Sequence, residues 1–454
     1  MNPEDPQELL DRCRRVAARA ASGEEIEAYA SRGRETDIEV VHGQVDSLTV
    51  ATSSGIGIRV VRDARQGFAW AGSLDDDVID DALAAARDNA RFAEPDEAIR
   101  LATPADAAGE AVTLDLWRDD LASVATDDKV AFAIALDTQL RAADSRITGV
   151  ESAGYGDVAM CWALASSTGV EMSQRRTHAS AYLFAMADDG TGVQTGYGVK
   201  AGRTFEDLDA DEVVAMAHER ATRLLGAQKA KSRRITAVLD PLVTSSILGL
   251  VAAAFNGESM LKGRSLFADR AGETVAAPIV ELADDPTDAR SLGAAERDAE
   301  GVPCRRNVLL ADGVMQGFLH NTYTARRAGT ATTASAVRGG YRSTPGVGTR
   351  ALRLRCGDRT PEQLVADVGD GFYVQAVHGL HSGTNPISGD FSVGAEGLVI
   401  RDGAFAEPVR EVTIASTIPR MLLAVRAVGA DAVYLPGGAV GTTIAVDDMT
   451  LSGE

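Results

Sequence analysis

Hydrophobic and polar residues in the first half of the chain follow two periods, one typical of helices and one typical of strands. Four segments have apolar residues at helical spacing: Leu9–Ala21, Asp75–Arg91, Asp127–Ala143 and Asp207–Gly226. Alternating apolar residues, bounded by glycine, serine and aspartate, predict strands between these helices. The predicted strands are 26–30, 36–41, 45–50, 56–61, 67–72, 147–152, 158–166, 170–187 and 193–199. Ser53–Gly55 is predicted as a turn between two of these strands, because serine and glycine favour turns.

The pattern changes in the second half, where short strands and polar loops dominate. A strand is predicted at Ile235–Leu239, and a helix at Leu242–Asn256 follows Asp240 as its N-cap and Pro241 at its first position. Near the C-terminus, apolar runs flank an Asp402-Gly403 pair, which is a strong signal for a hairpin.

At 454 residues, the chain is longer than a single hydrophobic core usually supports, so we expect two or three domains. Residues 94–113 are rich in alanine, proline and aspartate and show little periodicity, which indicates a linker. The prediction is an α+β protein with mixed α/β N-terminal domains and a strand-rich C-terminal domain. The predicted division is 1–93 for the N-terminal α/β domain, 94–113 for the linker, 114–230 for the middle α+β domain and 231–454 for the C-terminal domain.

Composition excludes several classes of function. A net charge of −21 argues against direct binding to nucleic acid, because phosphate recognition needs a basic face. The four cysteines lie far apart without CxxC spacing, so a disulfide framework or a cysteine zinc site is not expected. The longest apolar stretch, Ile247–Phe255, is too short to span a membrane, and the acidic N-terminus lacks an apolar signal region. These features predict a cytoplasmic protein without membrane contact.

Two short motifs resemble binding sites but are incomplete. Gly55 and Gly57 lack the third glycine of a dinucleotide loop, since Val60 stands in its place. His218-Glu219 lies on a predicted helix, but no second histidine follows one turn later, so a helical zinc pair is absent. The sequence also contains neither a GxSxG nucleophile elbow nor a GxxxxGK phosphate loop.

The C-terminal half contains a loop, 382–394, that is unusually rich in glycine, serine and asparagine. Glycine allows positive φ and close backbone contacts, so the segment predicts a loop of defined shape. The pattern alone leaves a purely structural role open. Five stretches around it and along the chain carry a resemblance to a known family: 27–61, GESMLKGRS at 257–265, GVPCRR at 301–306, GFLHNTYTAR at 317–326, and SGTNPISGDFSVGAEGLVIRDGAFAEPVREVTIA at 382–415.

These stretches, in this order, resemble the TldD/PmbA family, which is known as modulators of DNA gyrase and as relatives of metallopeptidases, and specifically its PmbA (TldE) branch. The resemblance implies that 301–306 and 317–326 belong to central strands. In the TldD branch, the helix before GESMLKGRS carries His-Glu-x-x-x-His. Here those three positions are Leu248, Gly249 and Ala253, which supply neither a metal ligand nor a proton acceptor. The resemblance therefore implies that this chain has no catalytic residue and no metal or other cofactor of its own.

By resemblance, the chain is the non-metal-binding subunit of a cytoplasmic metalloprotease that cleaves unfolded or flexible peptides. Its expected partner is a TldD-type subunit, which would form a heterodimer with it and supply zinc. The glycine-rich loop is then expected to form a wall of the substrate chamber. The predicted substrate-binding residues are Ser382, Gly383, Thr384, Asn385, Ser388, Gly389, Asp390, Phe391 and Ser392.

Two further interpretations of the whole chain stay open. One is a stand-alone or homodimeric peptide-binding protein without proteolytic activity, and the other is a homodimeric peptidase with an unrecognised site. His378 and His381, with Asp390 and Glu396, are a conceivable metal site, although loop histidines beside glycines are more often polar surface.

The segment Arg297–Arg359 has eleven arginines against four acidic residues within an acidic chain. The favoured interpretation is pairing of these arginines with the acidic segments of the same chain. The alternative is a basic wall that faces an acidic partner or peptide, because guanidinium groups suit carboxylates.

Overall fold

One sheet of long antiparallel strands organises the first half of the molecule. The computed structural model describes residues 5–454. The strands are β1 Glu24–Val41, β2 Gln44–Arg62, β3 Arg65–Ala71, β4 Ile147–Ser166, β5 Glu171–Ala187 and β6 Gln194–Gly202. They lie in the order β3-β2-β1-β4-β5-β6, so the predicted first and middle domains both contribute to one sheet. β1 joins them by pairing with β4 from Glu27–Ser166 to Val40–Ala153.

Helices cover one face of this sheet. They are α1 Pro6–Ala17, α2 Asp76–Phe92, α3 Asp119–Ser123, α4 Thr126–Ala143 and α5 Ala210–Thr222. On β1, the even-numbered residues Ile26 to Ala30 pack with α1 and α2, while Ile38 and Val40 pack with α4. Since alternate residues of a strand point to opposite faces, Tyr29 belongs to the other face, where it packs with Trp162 and with Tyr341 of the second half.

The predicted breaks within β1, β2 and β4 are wrong, because each of these strands is continuous. At the predicted turn, Gly55 stays in β2 and pairs with Ser31. A Cβ atom at Gly55 would clash with the Tyr341 ring, and one at Gly57 would clash with the Tyr341 carbonyl oxygen. The absence of side chains at these glycines therefore lets the backbone and ring of Tyr341, from the second half, pack closely against β2. The two glycines do not form a turn.

The predicted linker lies between the two halves and contains no helix or strand. It is nevertheless packed: Leu101 is buried, and its N–H donates to the Glu25 carboxylate at 2.9 Å. Arg326, from the second half, donates to the Leu101 carbonyl oxygen at 3.0 Å. The domain boundaries themselves stay a prediction.

The second half is strand-rich, which confirms the predicted α+β class. Its helices are α6 Pro241–Ala252, α7 Gly257–Leu261, α8 Thr322–Ala328, α9 Pro361–Val368 and α10 Ile418–Leu423. Its strands are β7 Arg233–Leu239, β8 Leu282–Asp284, β9 Asn307–Ala311, β10 Val314–Met315, β11 Ala336–Val337, β12 Gly346–Val347, β13 Leu352–Leu354, β14 Gly371–His378, β15 Asp390–Arg401, β16 Ala404–Thr417, β17 Val425–Val428, β18 Val433–Tyr434, β19 Val440–Gly441 and β20 Ile444–Ser452.

The main sheet of this half runs β16-β15-β14-β7-β20-β17, and β16 also pairs with β20. Five of its strands therefore close into a ring. The predicted hairpin is confirmed as β15 and β16, joined by Asp402 and Gly403, which both have positive φ as this turn requires. The predicted helix after Asp240 is confirmed as α6: the Asp240 carboxylate accepts the N–H of Leu242 at 2.9 Å.

The expected central strands at 301–306 and 317–326 are wrong. Residues 301–306 contain only one isolated bridge, between Arg297 and Pro303, and 322–328 form α8. A capping box starts α8: the Asn321 side chain accepts the N–H of Thr324, and the Thr324 hydroxyl oxygen accepts the N–H of Asn321. Across residues 5–454, no helix combines the length and apolarity that a membrane span requires.

The arginine-rich segment pairs mainly within the chain, which confirms the favoured interpretation. Seven of its arginines bind carboxylates of the described residues: Arg306, Arg326, Arg327, Arg338, Arg353, Arg355 and Arg359. The most buried of these pairs joins Arg338 to Glu27 of β1, and Glu27 also binds Arg59 of β2 at 2.7 Å. This cluster ties the first sheet to the second half.

Removing Arg338 should therefore destabilise the protein strongly. In Arg338→Gln, the buried Glu27 carboxylate keeps only one cationic partner, so we expect a loss of about 3 kcal/mol in the free energy of unfolding, measured by urea denaturation. The matched control is Arg355→Gln, which breaks the exposed pair with Glu281 and should cost less than about 1 kcal/mol. Equal losses in the two variants would show that the buried cluster does not hold the halves together.

Candidate functional site

The glycine-rich loop joins β14 to β15 and folds back onto the start of β15. The Gly383 carbonyl oxygen accepts the N–H of Ser392, and the N–H of Asn385 donates to the Asp390 carbonyl oxygen, both at 2.8 Å. The Asn385 side chain accepts two further backbone N–H groups, at 3.0 and 3.2 Å. The loop therefore has a defined shape, held by its own backbone and one asparagine.

Gly389 fixes this loop against the neighbouring helix α10. Its φ is +76°, a conformation that favours glycine. A Cβ atom here would lie 3.0 Å from Leu266 and 3.2 Å from Pro419, and the Gly389 carbonyl oxygen accepts the N–H of Ile418 at 2.8 Å. Gly389 thus supports the loop from the buried side.

Beside the loop lies an open cleft of about 500 Å³, which we call the loop cleft. Most of the predicted substrate-binding residues line it together; Ser388 and Gly389 do not. Ser388 contacts a cleft residue instead: its hydroxyl donates to the Asp390 carboxylate at 2.6 Å. The predicted residues that line the cleft are Ser382, Gly383, Thr384, Asn385, Asp390, Phe391 and Ser392.

The opposite wall of the loop cleft comes from distant parts of the chain, and sequence reasoning missed it. Its residues are Arg234, Ala415, Ser416, Thr417, Arg420 and Thr450. They belong to β7, β16, α10 and β20, which the closed ring brings together. Arg234 and Arg420 both bind Asp448, and together they lower the pKa of that carboxyl, with the Arg234 hydrogen bond as the largest cause. No local motif marks these positions, so the pattern of one sequence could not reveal them.

The pairing of β16 with β20 ends at this cleft. It covers only Thr413 to Ala415 on β16, and the next two residues, Ser416 and Thr417, line the cleft. On the opposite edge of β16, these two residues pair with β15. The cleft therefore combines hydroxyl groups, two arginines and a short stretch of strand edge.

The α6 positions that correspond to a metal-binding motif contain no donor side chain. Leu248 is buried in the core of the second half, Gly249 is exposed on α6, and Ala253 begins a short 3-10 turn. None of the three offers a side-chain nitrogen, sulfur or oxygen atom, which are the ligands that zinc takes. Nor does any group of three or more His, Cys, Asp or Glu side chains within residues 5–454 lie close enough to hold a metal ion, and this includes the set around His378 and His381.

His378 instead lines a groove of about 250 Å³ beside α6, which we call the α6 groove. Its walls are Phe184, Thr195 and Tyr197 of the first sheet, Leu242, Val243 and Ser246 of α6, and Arg220, Gln375, Ala376, Val377, His378 and Glu396. His378 Nε2 lies 3.6 Å from Glu396 Oε1. The nearby Glu396 carboxylate raises the pKa of His378 above its ordinary value.

The incomplete zinc motif on α5 has a structural explanation. His218 Nε2 lies 3.1 Å from a carboxylate oxygen of Asp144, which also binds Arg146. These two partners lower the pKa of Asp144, with Arg146 as the larger cause. His218 thus belongs to a surface ion cluster.

Comparison with protein families gives three consecutive matches to the PmbA/TldA metallopeptidases. Domain 1 matches residues 26–90, the central domain matches residues 119–225, and the C-terminal domain matches residues 232–453. Among curated proteins, the metalloprotease PmbA of Escherichia coli O157:H7 is 26% identical over 431 residues, which cover 94% of this chain and 93% of that protein.

Solved structures share the fold over nearly the whole chain. TldE from Thermococcus kodakarensis superposes with a TM-score of 0.89 at 22% identity, over 99% of this chain and all of the other. A Thermotoga maritima protein, described as a modulator of a DNA gyrase, gives a TM-score of 0.90 at 23% identity, over 98% of this chain and all of the other. At this identity, the structural matches establish the fold.

Local backbone conformation predicts opposite effects for one glycine substitution in the loop and one on α6. Gly389→Ala should lower the free energy of unfolding by about 1 kcal/mol or more, because its φ is positive and its surroundings are tight. Gly249→Ala, on the exposed face of α6 with open space around it, should raise it by up to about 1 kcal/mol, because alanine favours helices. Urea denaturation measures both; a neutral Gly389→Ala would mean that the loop does not need this backbone conformation.

The His378–Glu396 pair predicts a pH dependence of known sign. Because the folded pKa of His378 is raised, the pair stabilises the fold fully below the unfolded value of 6.5, and this contribution is lost as the pH rises through the folded pKa. Glu396→Gln should therefore lower Tm more at acidic pH than at about pH 8. NMR titration of His378 should show its pKa falling in this variant. An unchanged His378 titration would exclude the pairing.

Proposed function

The chain belongs to the TldD/PmbA family of metallopeptidases, and on this premise we propose that it is the subunit without a metal site in a two-chain, cytoplasmic metalloprotease. The partner is a TldD-type subunit that carries His-Glu-x-x-x-His and binds zinc. The substrate is an unfolded or flexible peptide. This chain completes the substrate chamber and holds the peptide in an extended conformation.

The observation that carries this proposal is the chemistry of the three α6 positions. Peptide hydrolysis by a metallopeptidase needs a Lewis acid that lowers the pKa of water and a base that takes its proton. Leu248, Gly249 and Ala253 supply neither function. A partner that keeps both groups restores the reaction, while this chain contributes binding.

The loop cleft supports the binding role. The strand edge at Ser416 and Thr417 suits an extended peptide, whose backbone can pair with it as an added strand. Ser382, Thr384 and Ser392 line the same cleft. Recognition through the peptide backbone tolerates many sequences, as expected for a protease that acts on flexible substrates.

The association surface includes the tip of the loop. Ile387 is 63% exposed, although isoleucine is usually buried, and it lies beside the cleft residues in sequence. A lasting complex buries on the order of 2,000 Å² or more. An apolar side chain at the rim of the substrate chamber fits such an interface.

Reconstitution tests the subunit role. Each chain is purified alone and then mixed with a denatured protein substrate at several ratios. Hydrolysis should rise as this chain is added to the TldD-type partner and level off near one to one, because the chamber needs both chains. This chain alone should bind no stoichiometric zinc and cleave nothing. If the partner alone is as active as the mixture, the proposal is wrong.

A cleft variant separates binding from folding. Ser392→Lys places a long side chain on an exposed position of the loop cleft, so turnover by the mixture should fall at least about tenfold while Tm stays unchanged. The matched control is Ser123→Lys, at an exposed serine outside the cleft, which should retain full turnover. Normal turnover in a stable Ser392→Lys variant would show that the substrate does not bind in the loop cleft.

A further inference from the structure

A separate cavity of about 360 Å³ lies between the first sheet and the second half of the chain. We call it the arginine cavity. Two aromatic residues of the sheet form one wall, and four arginines from both halves surround it: Tyr29, Trp162, Arg176, Arg297, Arg338 and Arg350. None of these residues lines the loop cleft or the α6 groove.

Positive charge in the arginine cavity is only partly compensated. Arg338 binds Glu27, but the other three guanidinium groups have no carboxylate partner among residues 5–454. Their bonds go only to backbone carbonyl oxygens: Arg176 to Leu292 at 3.3 Å, Arg297 to Gly301 at 2.8 Å and Arg350 to Ala336 at 2.8 Å. Neutral carbonyl groups satisfy hydrogen bonds but cancel no charge.

Two buried donors in this cluster have no acceptor. The Nε atoms of Arg176 and Arg350 are inaccessible to solvent and make no hydrogen bond within the described residues. Such orphaned donors are rare in native proteins, and each costs about 1–3 kcal/mol. Burial and the neighbouring Arg350 and Arg203 also lower the pKa of Arg176 to about 10. The cluster is therefore strained electrostatically in the protein alone.

The one carboxylate that lines the cavity does not relieve this strain. Asp298 is fully buried, and its oxygens accept the backbone N–H groups of Glu300, Val302 and Ala336 at 2.8 to 3.1 Å. Burial and the Glu300 carboxylate raise its pKa, which reduces the negative charge that it carries.

The aromatic wall holds the arginines in place. The Arg176 guanidinium lies 4.7 Å from the ring centre of Trp162, and that of Arg338 lies 4.8 Å from the ring centre of Tyr29. Stacking fixes a guanidinium plane, so less freedom is lost when it binds a ligand. Planar, pre-positioned guanidinium groups are the donors that recognise carboxylate and phosphate most effectively.

We infer that the arginine cavity binds a small ligand carrying an oxyanion, either a carboxylate or a phosphate group. The oxyanion accepts hydrogen bonds from Arg176 and Arg350 and neutralises their charge, and the rest of the ligand lies against Trp162 and Tyr29. The volume is within the range of small-molecule sites. Because Arg176 belongs to β5 and Arg350 to the second half, the bound ligand bridges the two halves. This inference does not depend on the proposed protease complex.

Binding of simple oxyanions tests it. Inorganic phosphate and succinate are titrated separately by calorimetry and by thermal unfolding, at constant ionic strength with chloride as the reference anion. At least one of them should bind saturably and raise Tm, because a ligand that binds only the folded state stabilises it. The anion that binds identifies the group, phosphate or carboxylate, that the site prefers.

Arg176→Gln should weaken that binding at least about tenfold, because it removes one of the two orphaned donors and its charge. The matched control is Arg175→Gln. Arg175 is the next residue of β5, is exposed and stacks on Trp117 outside the cavity, so its removal should leave binding unchanged. If Arg176→Gln does not fold, Arg350→Lys replaces it, since lysine keeps the charge but loses the fork. The inference fails if neither anion binds the wild type more tightly than chloride, or if the cavity variants bind as well as Arg175→Gln.

Discussion

The buried ion cluster between the two halves is the constraint on which the rest of the structure depends. Burial alone raises the pKa of Glu27, but Arg338 and Arg59 lower it further than burial raises it, so the carboxylate stays ionised. Glu300, also buried, lies 3.7 Å from Arg59 and accepts the N–H and hydroxyl of Thr322 at 2.8 Å. Removing one partner of a buried ion pair is strongly destabilising, so the contacts of Glu27 with Arg59 and Arg338 hold the two halves in one arrangement.

That arrangement creates two recesses between the halves, the α6 groove and the arginine cavity. The α6 groove has one wall on β5 and β6 and the other on α6 and β14, and the arginine cavity likewise has walls from both halves. The segment 94–113 lies along the same junction, with Leu101 buried there. The loop cleft is different, because the closed ring of the second half builds it alone.

The sequence predicted features that neighbouring residues determine, and it failed to predict features that depend on contacts with distant segments of the chain. The N-cap at Asp240 and the Asp402-Gly403 turn were predictable, since neighbouring residues determine them. Seven residues of the predicted loop do line one cleft, but their role in substrate binding stays a prediction. The prediction of a turn at Gly55 was wrong, because this glycine makes room for the ring of Tyr341, almost three hundred positions away. The same limit applies to Arg234 and Thr450 in the cleft wall, and to the arginines that surround the arginine cavity.

The topology of the second sheet also sets an order for folding during synthesis. β7 pairs with β20 from Arg233–Leu451 to Leu239–Ile444, so the first strand of this half needs nearly the last residues of the chain as its neighbour. The first sheet, in contrast, is complete at Gly202. We expect the ribosome-bound chain to fold its first half early, while β7 waits for the C-terminus to emerge. During that interval one edge of β7 has no partner strand, and its unpaired backbone groups are exposed to pairing with other chains.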